Sequence, residues 1–452
     1  MTHRALLKAL LVAGGGVAGL VLSGCATGGS SSATTAPAPT TIEATGFQGK
    51  FMGGQQPVAG VTVQLYQAGT SGYGSAATAL GPSVQTTANG NFNLPSYTCA
   101  TGSQVYLVGT GGQPIAATMS TPAVTNNNLA MMVGLGTCGG TYLNNFINVN
   151  ELTTVATVWA LAPFMTGIAN IGTSSTNTTG LANAFAAINE LVATSNGTTP
   201  GPTLPSGATL PTTEINTLAD ILEQCINSGG GVEGDGSNCG NLFALAPNAA
   251  GTVYPTDTIT TAMNIAQSPG RNVASLNKLR SASPVFQPAL NVNSPPSAWT
   301  IAITYTGGGL STPTSIAVDA NGAVWVTNNG NNSVTKLDTS GTADSGGSGF
   351  TAGGFNAPSA IAIDTSGNAW VANSGNNSVT VLNPSGSSGT VYTGNGLNAP
   401  GGIAIDGSGN IWLANTGANT VSAFTSSGAA LTDSPFSGGG TSSPVSIAAT
   451  PK

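Results

Sequence analysis

Three observations predict a multidomain, mainly β chain. They are a motif repeated three times toward the C-terminus, short alternating apolar stretches toward the N-terminus, and a switch to helical periodicity between them. The copies read Pro313-Thr-Ser-Ile-Ala-Val-Asp319-Ala-Asn-Gly-Ala-Val-Trp325-Val-Thr-Asn328, Pro358-Ser-Ala-Ile-Ala-Ile-Asp364-Thr-Ser-Gly-Asn-Ala-Trp370-Val-Ala-Asn373 and Pro400-Gly-Gly-Ile-Ala-Ile-Asp406-Gly-Ser-Gly-Asn-Ile-Trp412-Leu-Ala-Asn415. A fourth copy begins at Pro444-Val-Ser-Ile-Ala, and the prolines are spaced by 45, 42 and 44 residues. That period belongs to the four-stranded blades of β-propellers rather than to helical solenoids. The expected architecture is an N-terminal β-sandwich, a central α-helical module and C-terminal propeller-like repeats, three full blades plus a partial one.

With 452 residues the chain has room for two or three domains, each able to bury a core. Only 5% of residues are charged, while glycine, serine, threonine and asparagine abound, a composition typical of exported all-β material. The formal net charge is −7; without Arg4 and Lys8, read below as part of a removed signal, it is 6 − 15 = −9. A mildly acidic surface offers no electrostatic footprint for nucleic acid.

His3, Arg4 and Lys8 precede an apolar run from Ala9 to Leu22, interrupted by three glycines. The run is too short and glycine-rich to span a bilayer and fits the apolar region of a secretory signal over residues 1–24. It ends in Leu22-Ser23-Gly24-Cys25, which resembles a bacterial lipobox. The resemblance implies that Cys25 receives the lipid, becomes the mature N-terminus and anchors the protein to a membrane of the cell envelope. With Ala26 following, it implies outer-membrane sorting in a Gram-negative cell. Setting Cys25 aside leaves Cys99, Cys138, Cys225 and Cys239, an even set that in an exported chain implies two disulfides. Sequence order suggests Cys99 with Cys138 and Cys225 with Cys239, the second worth about 3 kcal/mol through unfolded-state entropy. The competing reading is a metal site; neither pair has close ligand spacing, and the only histidine is His3.

Residues 25–44 are small and polar and read as a flexible tether. From 45 to 145 the pattern is short strands. Val61, Val63 and Leu65 share one face, Val105-Tyr-Leu107-Val alternates likewise, and Asn89-Gly90 supplies a tight hairpin turn. Gly46-Phe-Gln-Gly, Pro57-Val-Ala-Gly60-Val-Thr-Val and Asn89-Gly-Asn-Phe92-Asn-Leu-Pro together resemble the carboxypeptidase regulatory-like domains, small transthyretin-type sandwiches. That resemblance implies a spacer or binding unit with no catalytic residue.

Residues 150–285 read as the helical module. Asn150 suits a helix cap before Leu152, Val155, Ala156 and Trp159. Further helices are marked by Leu181 to Val192, by Ile215 to Cys225, by the segment from Asp257 to Pro269-Gly270, and by Val273 to Leu279. Arg271, Lys278 and Arg280 form the only basic cluster. From 297 to 452 the chain returns to β, and alternating Trp299, Ile301, Ile303 and Tyr305 predict a strand that begins or completes the first blade.

Asp319, Asp364 and Asp406 are the candidate site residues. Each ends an Ile-Ala-x strand before a glycine turn, so its carboxylate can accept the turn's own amide hydrogens; the alternative is a metal-binding or catalytic role. Trp325, Trp370 and Trp412 recur in phase and fill gaps between sheets, or form a sugar platform if turned outward. Asn328, Asn373, Asn415 and the glycine–asparagine runs after them read as turn chemistry. Glu233-Gly-Asp235-Gly-Ser-Asn238 has alternating oxygen ligands without calcium-loop spacing and reads as a solvated loop.

The repeats resemble the NHL family, most closely its streptogramin-lyase-like members, in Pro-x-x-Ile-Ala-x-Asp, the Trp strand and the Asn-x-x-Asn-x-Val that follows. The lyases use a histidine with metal-coordinating acidic groups in the channel, and related gluconolactonase-like propellers use Glu, Asn and Asp around calcium. Here no histidine lies beyond His3 and no glutamate beyond Glu233, so no catalytic residue carries over. No metal or other cofactor motif is visible. The leading expectation is a lipid-anchored envelope protein presenting a non-catalytic propeller to a protein or glycan. The alternatives are a metal-dependent lyase or hydrolase acting through the three aspartates, and a purely structural envelope protein. Three blades and a stub fall short of a closed propeller, so a homo-oligomer pairing three blades with three is a further expectation.

Overall fold

A computed structural model describes residues 40–114 and 124–449. Cys25, the signal and residues 25–39 of the expected tether lie outside the described residues. The tether boundary at 44 is corrected: Thr41–Ala44 forms strand β1, whose partner is β7 (Tyr97–Ala100). Pairing with an edge strand satisfies backbone groups that a polar composition alone would leave to water.

The sandwich contains β2 (Phe47–Gly53), β3 (Gln56–Ala59), β4 (Thr62–Gln67), β5 (Thr78–Gln85), β6 (Asn91–Leu94), β8 (Gln104–Thr110), β9 (Gln113–Pro114), β10 (Ala130–Thr137) and β11 (Ile147–Val149). One sheet runs β11-β2-β3-β9 with β6 also on β2; the other runs β10-β8-β4-β5. Val61, Val63 and Leu65 are all buried, as their spacing demands. Two features differ from the sequence reading. The Asn89-Gly90 turn forms, with Gly90 at φ +76°, yet it carries the chain from β5 to β6 in the opposite sheet instead of closing a hairpin. β8 buries both faces, Tyr106 and Val108 included, because helices cover the side that alternation would leave wet.

Those helices are α1 (Glu151–Leu161), α2 (Thr178–Leu191), α3 (Thr212–Ile226), α4 (Asn238–Leu245), α5 (Thr258–Gln267) and α6 (Val273–Asn277). Asn150 caps α1 in a reciprocal box: its side chain accepts the Thr153 N–H at 3.0 Å, and Thr153 Oγ1 accepts the Asn150 N–H at 2.9 Å. Asp257 caps α5. Helix α4 lacks a long apolar period and was not anticipated; Ser237 caps it, accepting the Gly240 N–H. One hydrophobic core runs from Ala44 to Trp299, so the sandwich and the helices are packed as a unit. Both disulfides pair in sequence order, Cys99 with Cys138 and Cys225 with Cys239.

Three sheets follow. The first blade pairs Pro313–Val318, Val324–Asn328 and Ser333–Leu337; the second pairs Pro358–Ile363, Ala369–Asn373, Ser378–Leu382 and Gly389–Thr393; the third pairs Pro400–Ile405, Ile411–Asn415 and Thr420–Phe424. In the first and third blades the outer position is held only by isolated bridges, such as Val334 to Phe350 and Val421 to Phe436. The strand expected from Trp299 to Tyr305 is shorter than predicted. Trp299 is drawn into the large core, where its carbonyl accepts the Trp159 indole N–H, and only Thr304–Tyr305 pairs, with Ala208–Thr209.

A buried acid joins sandwich to helices. Both carboxyl oxygens of Glu151 face the Gly54 N–H, at 2.9 and 3.0 Å. Burial pushes the Glu151 carboxyl up to about 8, the Gly54 N–H opposing and Glu223 and Asp220 adding to the rise. Because the folded value lies above the ordinary one of 4.5, this contribution is fully present below about pH 4.5 and is lost as pH rises through 8. Urea unfolding across that window should therefore show stability that falls as pH rises. Glu151→Gln should flatten the slope. A wild-type stability that rises over the same range would contradict the assignment.

Candidate interaction surface of the repeat array

Each blade is organised by its aspartate. Asp364 Oδ1 accepts the Ser366 and Asn368 amide hydrogens at 2.9 Å each, and Oδ2 accepts the Trp370 indole N–H at 3.0 Å and the Asn368 side-chain amide at 2.9 Å. Asp406 repeats the pattern with Ser408, Asn410 and Trp412, and Asp319 with Asn321, Ala323 and Trp325. Burial alone would raise the Asp364 carboxyl, but the Trp370 and Asn368 donors outweigh it and hold the group below its ordinary value. The Trp412 and Asn410 donors hold Asp406 well below the usual carboxylate range. The lone pairs of carboxylates so placed already have donors. Nor do they converge: among the described residues no three His, Cys, Asp or Glu side chains lie together as a metal site.

Two of the repeat tryptophans lie between blades. Trp325 and Trp370 are 0% and 1% exposed, packed with Ile361, Val371 and Leu382 of the second blade and with Ile411, Leu413 and Phe424 of the third. Trp412 is only half-buried. Each ring meets a second aromatic: Phe350 at 6.0 Å, Tyr392 at 5.8 Å and Phe436 at 5.6 Å between centroids. These partners were missed in the sequence, although the signal is there. Tyr305, Phe350, Tyr392 and Phe436 each stand eight residues before a repeat proline (313 − 305, 358 − 350, 400 − 392, 444 − 436). Tyr305, Phe350 and Tyr392 also lie against Gly341, Gly386 and Gly428 of the following turn, where a Cβ would collide with the ring.

The asparagines divide into two sets. Asn328, Asn373 and Asn415 are fully buried strand residues, not turn residues; their amides donate to hydroxyls of the third strand, such as Thr335, Thr380 and Ser422. Asn332, Asn377 and Asn419 do adopt the left-handed turn conformation, at φ 54°, 53° and 54°. Their side chains accept the N–H of Ala357, Ala399 and Ser443 at 2.8, 2.7 and 2.7 Å, each tying one repeat to the next.

Among the described residues, clefts open nearby or on the helical side. One of about 200 Å³ between the first and second blades is lined by Asp319, Asn321, Lys336, Ser366 and Pro384. Lys336 lies 5.0 Å from the Trp325 ring centroid, pairs with Asp344 at 3.4 Å and donates to the Pro384 carbonyl. One of about 300 Å³ is walled by Pro205, Ser206 and the glycines around 307 and 346. Another of about 300 Å³ is walled by Val232, Phe243, Tyr254 and Pro255. The Glu233–Asn238 segment is not an open ligand loop, since Asp235 accepts from Val232 and Ser237. Arg271 and Arg280 are used on the Ala249 and Leu290 carbonyls.

Residues 310–337 match the family model described as NHL repeat. The first blade is thus similar to an NHL repeat. Among solved structures the chain is similar to streptogramin B lyase, at 22% identity over 31% of this chain and 45% of that one, TM-score 0.27. It is similar also to virginiamycin B lyase from Staphylococcus aureus, at 20% over 33% and 50%, TM-score 0.29. A chain of a nidogen/laminin complex aligns at 18% over 33% and 55%, TM-score 0.28. The chain thus spans about half the length of these structures. Comparison with curated proteins finds no match.

Trp370→Ala should destabilise the array by about 3–5 kcal/mol in chemical unfolding, the usual result of emptying a buried aromatic site. Trp412→Ala should cost clearly less, because its ring is partly in solvent. Asp364 has a lowered folded value, so its contribution is present above the ordinary 3.8 and is lost as pH falls below it. Acid unfolding monitored by tryptophan fluorescence should be less steep in Asp364→Asn.

Proposed function

We propose that this chain is a lipid-anchored cell-envelope protein whose NHL-like array is a non-catalytic binding surface for a protein or glycan. The observation that carries this reading is the use of all three repeat aspartates by their own turns and indoles. A general base or metal ligand needs a free lone pair aimed at a substrate, and here those lone pairs hold the hairpins. The lipobox-like Leu22-Ser23-Gly24-Cys25 supports attachment through Cys25 to the envelope, most readily the outer membrane. The motif pattern of residues 45–145 supports a carboxypeptidase regulatory-like spacer beneath the array.

Two measurements test the reading. Metabolic labelling with a radioactive fatty acid should mark the full chain and be abolished by Cys25→Ser. On glycan arrays and in pull-downs from envelope extracts, the Cys25→Ser protein should retain a partner. Binding should weaken about tenfold or more when an array-surface residue at the contact is changed. Turnover of a streptogramin B by the purified protein, lost in Asp364→Asn with the fold intact, would replace this reading with a lyase. Absence of any partner would leave a structural envelope role.

A further inference from the structure

The two ends of the array are the two halves of one interface already made twice within the chain. Where one blade meets the next, the leading blade offers a tryptophan, its aromatic partner and small inner-strand residues; the following blade offers an isoleucine pair. Thus Ala317, Trp325 and Phe350 cover Ile361 and Ile363, while Ala360, Trp370 and Tyr392 cover Ile403 and Ile405. At the head of the array the equivalent pair is Ile316 and Val318. Each is 60% exposed, against 6% for Ile361 in the covered position. At the tail, Phe436 is 37% exposed and Trp412 half-buried, covered among the described residues only by the short segment from Pro444.

The C-terminal stub completes the tail. Pro444 lies where a fourth inner strand would begin: its carbonyl accepts from Thr416 at 2.8 Å, as the Pro358 carbonyl accepts from Thr314 at 2.7 Å and the Pro400 carbonyl from Ser359 at 2.6 Å. Asn419 ties its entry residue Ser443, as Asn332 and Asn377 tie theirs. Within the stub Ile447 is half-buried, whereas Ser446 and Ala448 are exposed. Ser446 and Ala448 are in register with Ser315 and Ala317, the small residues that lead each blade onto the next. The chain therefore carries a small-residue tail edge and an apolar head of matching kind.

We propose that two copies of this chain join head to tail, the Ser446–Ala448 edge of each facing Ile316 and Val318 of the other. Two such contacts close a two-fold ring, so neither apolar end is left exposed. Twice three blades with the stub at each seam falls within the about four to eight blades of closed propellers. Repetition of an interface already formed within the chain selects a second copy over an unrelated partner. The inference goes beyond the binding role and stands or falls separately from it.

The test uses the full chain with Cys25→Ser, so that lipid does not drive association. Light scattering on the size-exclusion peak should give twice the 44.0 kDa chain mass. Ile316→Glu with Val318→Glu should shift it to the monomer with an unchanged circular dichroism spectrum, since both side chains are largely in solvent. Val318→Cys with Ala448→Cys should yield an oxidised, covalent dimer. A wild-type monomer at tens of micromolar overturns the proposal. So do a dimer that persists in the double glutamate variant, open-ended polymers without a dimer plateau, and a cross-link formed within one chain.

Discussion

The bond between each repeat aspartate and the indole six residues later is the interaction on which the array depends. It joins the end of the inner strand to the start of the second strand across a glycine turn, and it holds the tryptophan ring in the plane where the next blade must pack. The same carboxylate satisfies two turn amides, so a single charged group organises both the hairpin and the inter-blade gap. A half-exposed carboxylate with three or four donors costs little to desolvate, because water has been replaced by fixed hydrogen bonds. The chemistry that makes these residues good architecture is the same chemistry that removes them as catalytic groups.

Around that bond the blades are linked by groups of very different polarity. The apolar part is the covering of isoleucine and leucine by tryptophan and its aromatic partner. The polar part is the asparagine latch from one hairpin to the entry of the next repeat, together with the buried crossbar asparagines that bridge strands within a blade. Fully satisfied buried amides of this kind specify register, since a one-residue slip would leave every one of them unpaired. In the sandwich and helices the comparable element is Glu151. It sits at the first turn of α1 and meets the hairpin that follows β2, so the two modules share one core and one buried proton-binding group.

Much of this was legible in the sequence. The three-fold motif, its period and the stub at Pro444 predicted the blades, and Asn150 and Asp257 predicted helix starts because capping is a local matter. Less legible was whatever depended on a distant neighbour. Trp299 looked like a strand residue by alternation, but a large core nearby claimed it. Tyr106 and Val108 looked half-exposed, but helices that begin only at Glu151 cover them. The periodic aromatics from Tyr305 to Phe436 were overlooked because each lies in a segment whose pairing is weak, where alternation is a poor guide.

The sequence by itself determined the repeating units: which residues end strands, which turns require glycine or asparagine, and which cysteines were left to pair. These are short-range constraints, set by backbone sterics and by donors a few residues away. Tertiary structure alone decided what each unit faces. It placed indoles between sheets and their N–H groups on carboxylates, buried Glu151 against a hairpin, and left Ile316 and Val318 open at one end of the array and Trp412 and Phe436 partly covered at the other. The physical reason is that desolvation depends on everything packed around a group, and no local pattern carries that information.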